Sequence, residues 1–123
     1  MSKFDEAIAT YEDALKNTLN ISDYDVDLLK KVAKGLGPSI YNKDSSLVST
    51  SDQAELDRVK TNFLIKKLGM SDSGSLDAAI KEVGEAFGSS NRSKYRAVFY
   101  YLLTKKLGKE SVYASHSLLK GIQ

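Results

Sequence analysis

The chain contains no cysteine and no tryptophan, and its 123 residues include one proline and one histidine. Without cysteine there is no disulfide, no thiolate nucleophile and no Cys-ligated zinc or iron–sulfur centre. The absence fits a reducing cytoplasm. The lone histidine, His116, sits in the stretch ESVYASHSLLKGIQ, whose apolar spacing is poor. A Ser-His-Asp site would rest on that residue alone, so a surface histidine is the plainer reading. Long hydrophobic runs are missing too: the longest, Ala97 to Leu103, has seven residues, far from the ~20 that span a bilayer. The N-terminal stretch carries Asp5, Glu6, Glu12 and Asp13 and no continuous apolar core, so it does not read as a signal peptide. The expectation is a soluble cytoplasmic protein without a membrane partner.

What is present has the balance of an ordinary globular protein, 41% apolar and 28% charged. The length suits a single domain over residues 1–123, burying roughly two-thirds of its unfolded surface. A net charge of +2 does not mark a nucleic-acid binder, but its distribution is uneven. Residues 1–29 hold seven acids against Lys3 and Lys16, giving −5, whereas residues 91–109 hold Arg92, Lys94, Arg96, Lys105, Lys106 and Lys109 with no acid. Such asymmetry can steer a partner or pair one part of the chain with another.

Apolar spacing is helical nearly throughout, and predicts an all-α bundle of about five helices. Phe4, Ile8, Tyr11 and Leu15 mark the first, opened by Ser2 and Asp5 in the form of a capping box. Val26, Leu29, Ala33 and Leu36 mark the second, entered through acids and ended by GLGP. Leu56, Val59 and Phe63 mark a third, with Asp52 and Glu55 as its capping pair. Leu76, Ala79, Ile80, Val83 and Phe87 give the cleanest stripe, a fourth helix after SDSGS. A fifth is expected over residues 92–107, capped by Ser90 and Asn91, apolar around most of its circumference and therefore central. One helical turn around SSLV in the loop from Ser39 to Ser51, and a short C-terminal helix in ESVYASHSLLKGIQ (residues 110–123) or a frayed extension over residues 114–123, complete the expectation.

Lys-Lys-Leu-Gly occurs twice, at Lys66 to Gly69 and at Lys105 to Gly108, each time after an apolar run. Lysines favour the negative end of a helix and glycine suits the cap, so the repeat reads as two helix endings and not as a duplicated binding motif.

Little else looks like chemistry. Asp23, Asp25 and Asp27 alternate across a helix start, where capping accounts for them, and no glycine or distal glutamate completes a calcium loop. Neither GLGP nor GMSDSG has phosphate-loop spacing. The segment from Phe63 to Gly84 runs helix, turn, helix, but its second helix carries Asp77 and Glu82 against Lys81, which phosphates would repel. No cofactor or metal site is expected.

Two segments stand out. NRSKYR places Arg92 and Arg96 one helical turn apart beside Tyr95. Cations at a helix start oppose its dipole, which hints at function, although pairing with the acidic first or second helix accounts for them as well. GPSIYNKDSS crowds Tyr41, Asn42, Lys43 and Asp44 into a loop. Its plainer reading is a packed loop anchored by Ile40 and Tyr41, with Asp44 capping the next turn. The candidate binding surface is Tyr41, Asn42, Lys43, Asn91, Arg92, Lys94, Tyr95 and Arg96.

These two motifs, GLGPSIYNKD and NRSKYRAVFYYLLTKKLGKESVY, resemble a family of small bacterial proteins, domain of unknown function 2853. The likeness runs from about Lys3 to Tyr113 and implies a compact, all-helical, cytoplasmic protein. It implies no activity and supplies no catalytic residue; residues from Ala114 to Gln123 look like an extension. The leading expectation is a non-enzymatic protein-interaction or accessory module. The alternative is nucleic-acid binding through the basic Arg92–Lys106 helix. A third is an enzyme whose site lies between residues 37–46 and 91–96, in which case the two segments should meet around a concave pocket.

Overall fold

The computed structural model describes residues 2–88 and 90–113. Five α-helices appear among them, and the central one is the fifth: α1 (Lys3–Asp13), α2 (Val26–Leu36), α3 (Gln53–Arg58), α4 (Gly74–Phe87) and α5 (Arg96–Lys106). Residues 111–113 are also helical; the rest of the expected C-terminal helix, with His116, lies outside the described residues. No strand occurs among the described residues, only one isolated antiparallel bridge between Leu47 and Tyr95.

Local chemistry sets most of the helix starts. The Ser2 hydroxyl accepts from the Asp5 amide, the Asp25 carboxylate from the Leu28 amide and the Asp52 carboxylate from the Ala54 amide. Each satisfies a donor that a helix start leaves without an intrahelical partner. Gly37, at φ 66°, ends α2, and Pro38 opens a 3-10 turn, Gly37–Tyr41. Gly69 and Gly108 close the two KKLG stretches at φ 73° and 66°, so both repeats are helix endings.

Two helices do not keep the regular period. α1 runs on into a π-helical segment, Ala14–Thr18, and α3 into another, Val59–Ile65. The wider turn brings Val59 and Leu64, five residues apart, onto the same buried side, both fully inaccessible.

Seven of the eleven residues of α5 are buried, Ala97 to Tyr101, Leu103 and Thr104, because the helix packs against both α2 and α4. Phe99 faces Phe87 of α4 with centroids 6.0 Å apart, and Tyr100 stacks on Phe63 at 4.0 Å. The Tyr101 hydroxyl accepts from the Asp25 amide at 2.8 Å, tying the start of α2 to the central helix. Burial pushes the Tyr11 and Tyr113 phenols up to about 12.

Three local expectations need correction. α5 begins at Arg96 and not at residue 92, so Asn91 to Tyr95 are not helical. The helical turn expected around SSLV lies earlier and stops at Ser46, whose amide donates to the Asn42 carbonyl at 2.9 Å, whereas Leu47 bridges Tyr95 and Val48 enters the core. Glu55 does not cap α3, because its carboxylate is engaged by Arg96. The cause is shared. Backbone and side-chain bonds from distant segments claim these residues, and outweigh local propensity.

Candidate functional site

The connection between the 3-10 turn and α3 lies against the connection between α4 and α5. The Val48 amide donates to the Lys94 carbonyl at 2.8 Å, and the Arg96 amide to the Ser46 carbonyl at 2.7 Å. The Arg96 side chain completes the join. Its Nε donates to the Ser45 carbonyl (2.7 Å), its Nη2 to the Leu47 carbonyl (3.0 Å) and the Glu55 carboxylate (2.9 Å), and its Nη1 to the Tyr100 hydroxyl (3.0 Å). The guanidinium is thus a planar fork holding one loop to two helices. Burial opposes its charge, but the hydrogen bond to Glu55 and the Tyr100 contact outweigh that, and the Arg96 pKa stands above its ordinary value. Burial likewise pushes the Tyr100 phenol up, against the opposing pull of Arg96.

Between the two connections lies an open cleft of about 660 Å³, within the range of small-ligand sites. The first wall runs from Lys43 and Asp44 through Leu47 to Ser51 and on to Glu55; the second is Ser90, Asn91, Arg92 and Lys94. Residues 37–46 and 91–96 therefore do meet around a concave pocket.

The candidate residues separate into three groups. Lys43, Asn91, Arg92 and Lys94 line the cleft. Asn42, Tyr95 and Arg96 shape it: the Asn42 side chain, and not Asp44, caps the turn by accepting from the Asp44 and Ser45 amides. The Tyr95 ring packs on Tyr11, with centroids 5.5 Å apart. Tyr41 is neither; it is 48% exposed and does not anchor the loop, which Ile40 does.

The basic cluster is likewise divided. Arg96 pairs with Glu55 of α3, and not with α1 or α2. Arg92 is exposed. Lys94 is only 5% exposed, and its ammonium donates to the Asn91 carbonyl. Among the described residues Lys43, Arg92 and Lys94 join no ion pair, and neither does Asp44. Glu55 is engaged by Arg96 and, at 3.8 Å, by Arg58.

Three wall residues, Ser49, Thr50 and Ser51, have no role in the sequence reading, and Ser90 figures there only as a helix cap. The available signal was the run STSD entering α3, rich in small hydroxyls beside a helix start. No cluster of three histidine, cysteine, aspartate or glutamate side chains able to hold a metal occurs among the described residues. No helix among them is long and apolar enough to cross a membrane.

The family model described as "Protein of unknown function (DUF2853)" matches residues 10–111. The chain belongs to this family. The match takes in both walls of the cleft and Arg96, and stops short of His116. No curated protein matches the chain.

Proposed function

We propose that this member of DUF2853 is a non-enzymatic interaction module of the bacterial cytoplasm, and that a protein partner docks at the cleft between residues 43–51 and 90–94. The observation that carries the reading is the convergence of two sequence-distant polar segments on one concave, ammonium- and hydroxyl-lined surface. Hydroxyl, amide and ammonium groups spread over two walls suit reversible hydrogen bonding to a partner. Tyr41, two residues from Lys43, adds an exposed aromatic, the residue type enriched at interfaces.

Nucleic-acid binding along α5 finds less support. Most of that helix is core, Arg96 is committed to Glu55, Lys105 pairs with Glu110 at 3.4 Å and Lys106 pairs with Glu82. A phosphate backbone needs a run of free cations along an exposed face.

The test is affinity capture with the wild-type chain, a cleft variant (Arg92→Glu) and a variant on α2 (Lys30→Glu), followed by binding measurements on the purified pair. A partner lost with Arg92→Glu and kept with Lys30→Glu supports docking at the cleft. Equal capture by all three would remove it.

A further inference from the structure

Lys94 presents an unbalanced charge. An ammonium taken out of water needs counter-charge or several acceptors, because its desolvation otherwise costs several kcal/mol. Lys94 is 5% exposed, and the acceptor the structure gives it is one neutral carbonyl, that of Asn91. An ammonium has three N–H donors, so two are left for other acceptors.

The surrounding charge is unbalanced in the same sense. Lys43, Arg92 and Lys94 line the cleft as cations outside any ion pair among the described residues, and the unpaired carboxylate beside them is Asp44. Glu55 does not redress this, since Arg96 holds it at 2.9 Å. The walls therefore carry an excess of two positive charges together with the hydroxyls of Ser49, Thr50, Ser51 and Ser90.

We infer that the cleft is a binding site for a phosphate monoester, with Lys94 as its anchor and Lys43 and Arg92 as its outer cations. A phosphate monoester carries about −1.5 to −2 charges and three strong acceptor oxygens. That charge matches the excess, and the oxygens can accept from Lys94 as well as from the serine and threonine hydroxyls. A carboxylate offers one charge and two oxygens, and leaves the site under-neutralised. This assignment rests on the cleft being the functional surface, and names the group that a ligand brings to it.

The experiment is a titration of the whole chain with inorganic phosphate at constant ionic strength, followed by backbone amide NMR shifts, with chloride as the control anion. Saturable shifts are expected at Thr50, Ser51, Ser90 and Arg92. Arg92→Ala and Lys43→Ala, both at exposed positions, should each weaken binding by about tenfold, the scale of one charge-assisted contact. Lys94→Met should abolish saturable binding while leaving the ligand-free melting temperature unchanged or higher, since it removes a buried charge without a counter-ion. Shifts that rise linearly, that chloride reproduces, or that persist at full affinity in both Arg92→Ala and Lys43→Ala would overturn the assignment. A phosphoserine peptide separates the sources of the group. Binding about tenfold tighter than inorganic phosphate places it on a protein, and equal affinity places it on a small ester. Docking lost in Arg92→Glu without phosphate binding would sink the phosphate assignment alone. Phosphate binding with docking intact in that variant would sink the docking reading alone.

Discussion

The Arg96 guanidinium lies 2.9 Å from the Glu55 carboxylate, across 41 residues of chain, and the same side chain holds the Ser45 and Leu47 carbonyls. One residue thereby fixes the start of α5, the loop before α3 and α3 itself. Removing it leaves two carbonyls without their side-chain donor and a largely buried carboxylate with only the Arg58 contact at 3.8 Å. Arg96→Ala should destabilise the protein by about 3 kcal/mol, measured by urea unfolding. Arg96→Lys should recover less than half of that loss, because a point charge cannot serve acceptors on three sides.

Arg92, four residues earlier, behaves differently. It is exposed and joins no ion pair among the described residues. Arg92→Glu should therefore shift stability by no more than about 0.5 kcal/mol. Thermal melts of the two variants side by side check the contrast; a large loss in Arg92→Glu would mean that it is bound internally.

Alkaline pH should unfold the chain over a defined window. Tyr11 and Tyr113 have folded-state pKa values of about 12, against 10.0 when unperturbed, both raised by burial. Above pH 10 the unfolded chain releases these protons while the folded chain retains them, so stability falls as pH rises and is fully present below 10. Each tyrosine contributes a slope of up to about 1.4 kcal/mol per pH unit in that window. Circular dichroism against pH for the wild type, Tyr11→Phe and Tyr113→Phe should show loss of helix above pH 10 that moves to higher pH in each variant. An alkaline transition unchanged in both variants would contradict the burial of these phenols.

The helix-ending glycines offer a test of backbone conformation without packing. A Cβ added at Gly69 or Gly108 meets nothing within 4 Å, yet their φ values are 73° and 66°. Gly69→Ala and Gly108→Ala should each cost about 1 kcal/mol from left-handed strain alone. Asparagine, which tolerates that region better, should cost less at both sites.

These contrasts show which parts of the structure were legible in the sequence. The stripe Leu76, Ala79, Ile80, Val83 and Phe87 announces α4 because each of those residues is buried on one face. Ser2, Asp25 and Asp52 announce helix starts because capping is settled within three residues. The apolar run of α5 announces its centrality. The start of α5 was not legible, because Asn91 to Lys94 have the composition of a helix entry, but the Lys94 carbonyl accepts from the Val48 amide and the Arg96 amide donates to the Ser46 carbonyl. The π segments escaped for another reason: a search at the α-helical period cannot register the extra residue that aligns Val59 with Leu64. At the cleft, Lys43, Asn91, Arg92 and Lys94 stood out by charge and crowding. Glu55 did not, since a capping role explained it locally and its partner lies 41 residues away.

Arg96 fills a place in this chain that an oxidised cysteine pair fills in many small proteins. It cross-links residues 45, 47 and 55 to residue 96, and it needs neither an oxidant nor a pairing partner of its own kind. Such a link has no redox potential, cannot be reduced or shuffled, and re-forms whenever the chain refolds. The geometry of the cleft is thus indifferent to the thiol balance of its surroundings, and depends on one guanidinium keeping its acceptors.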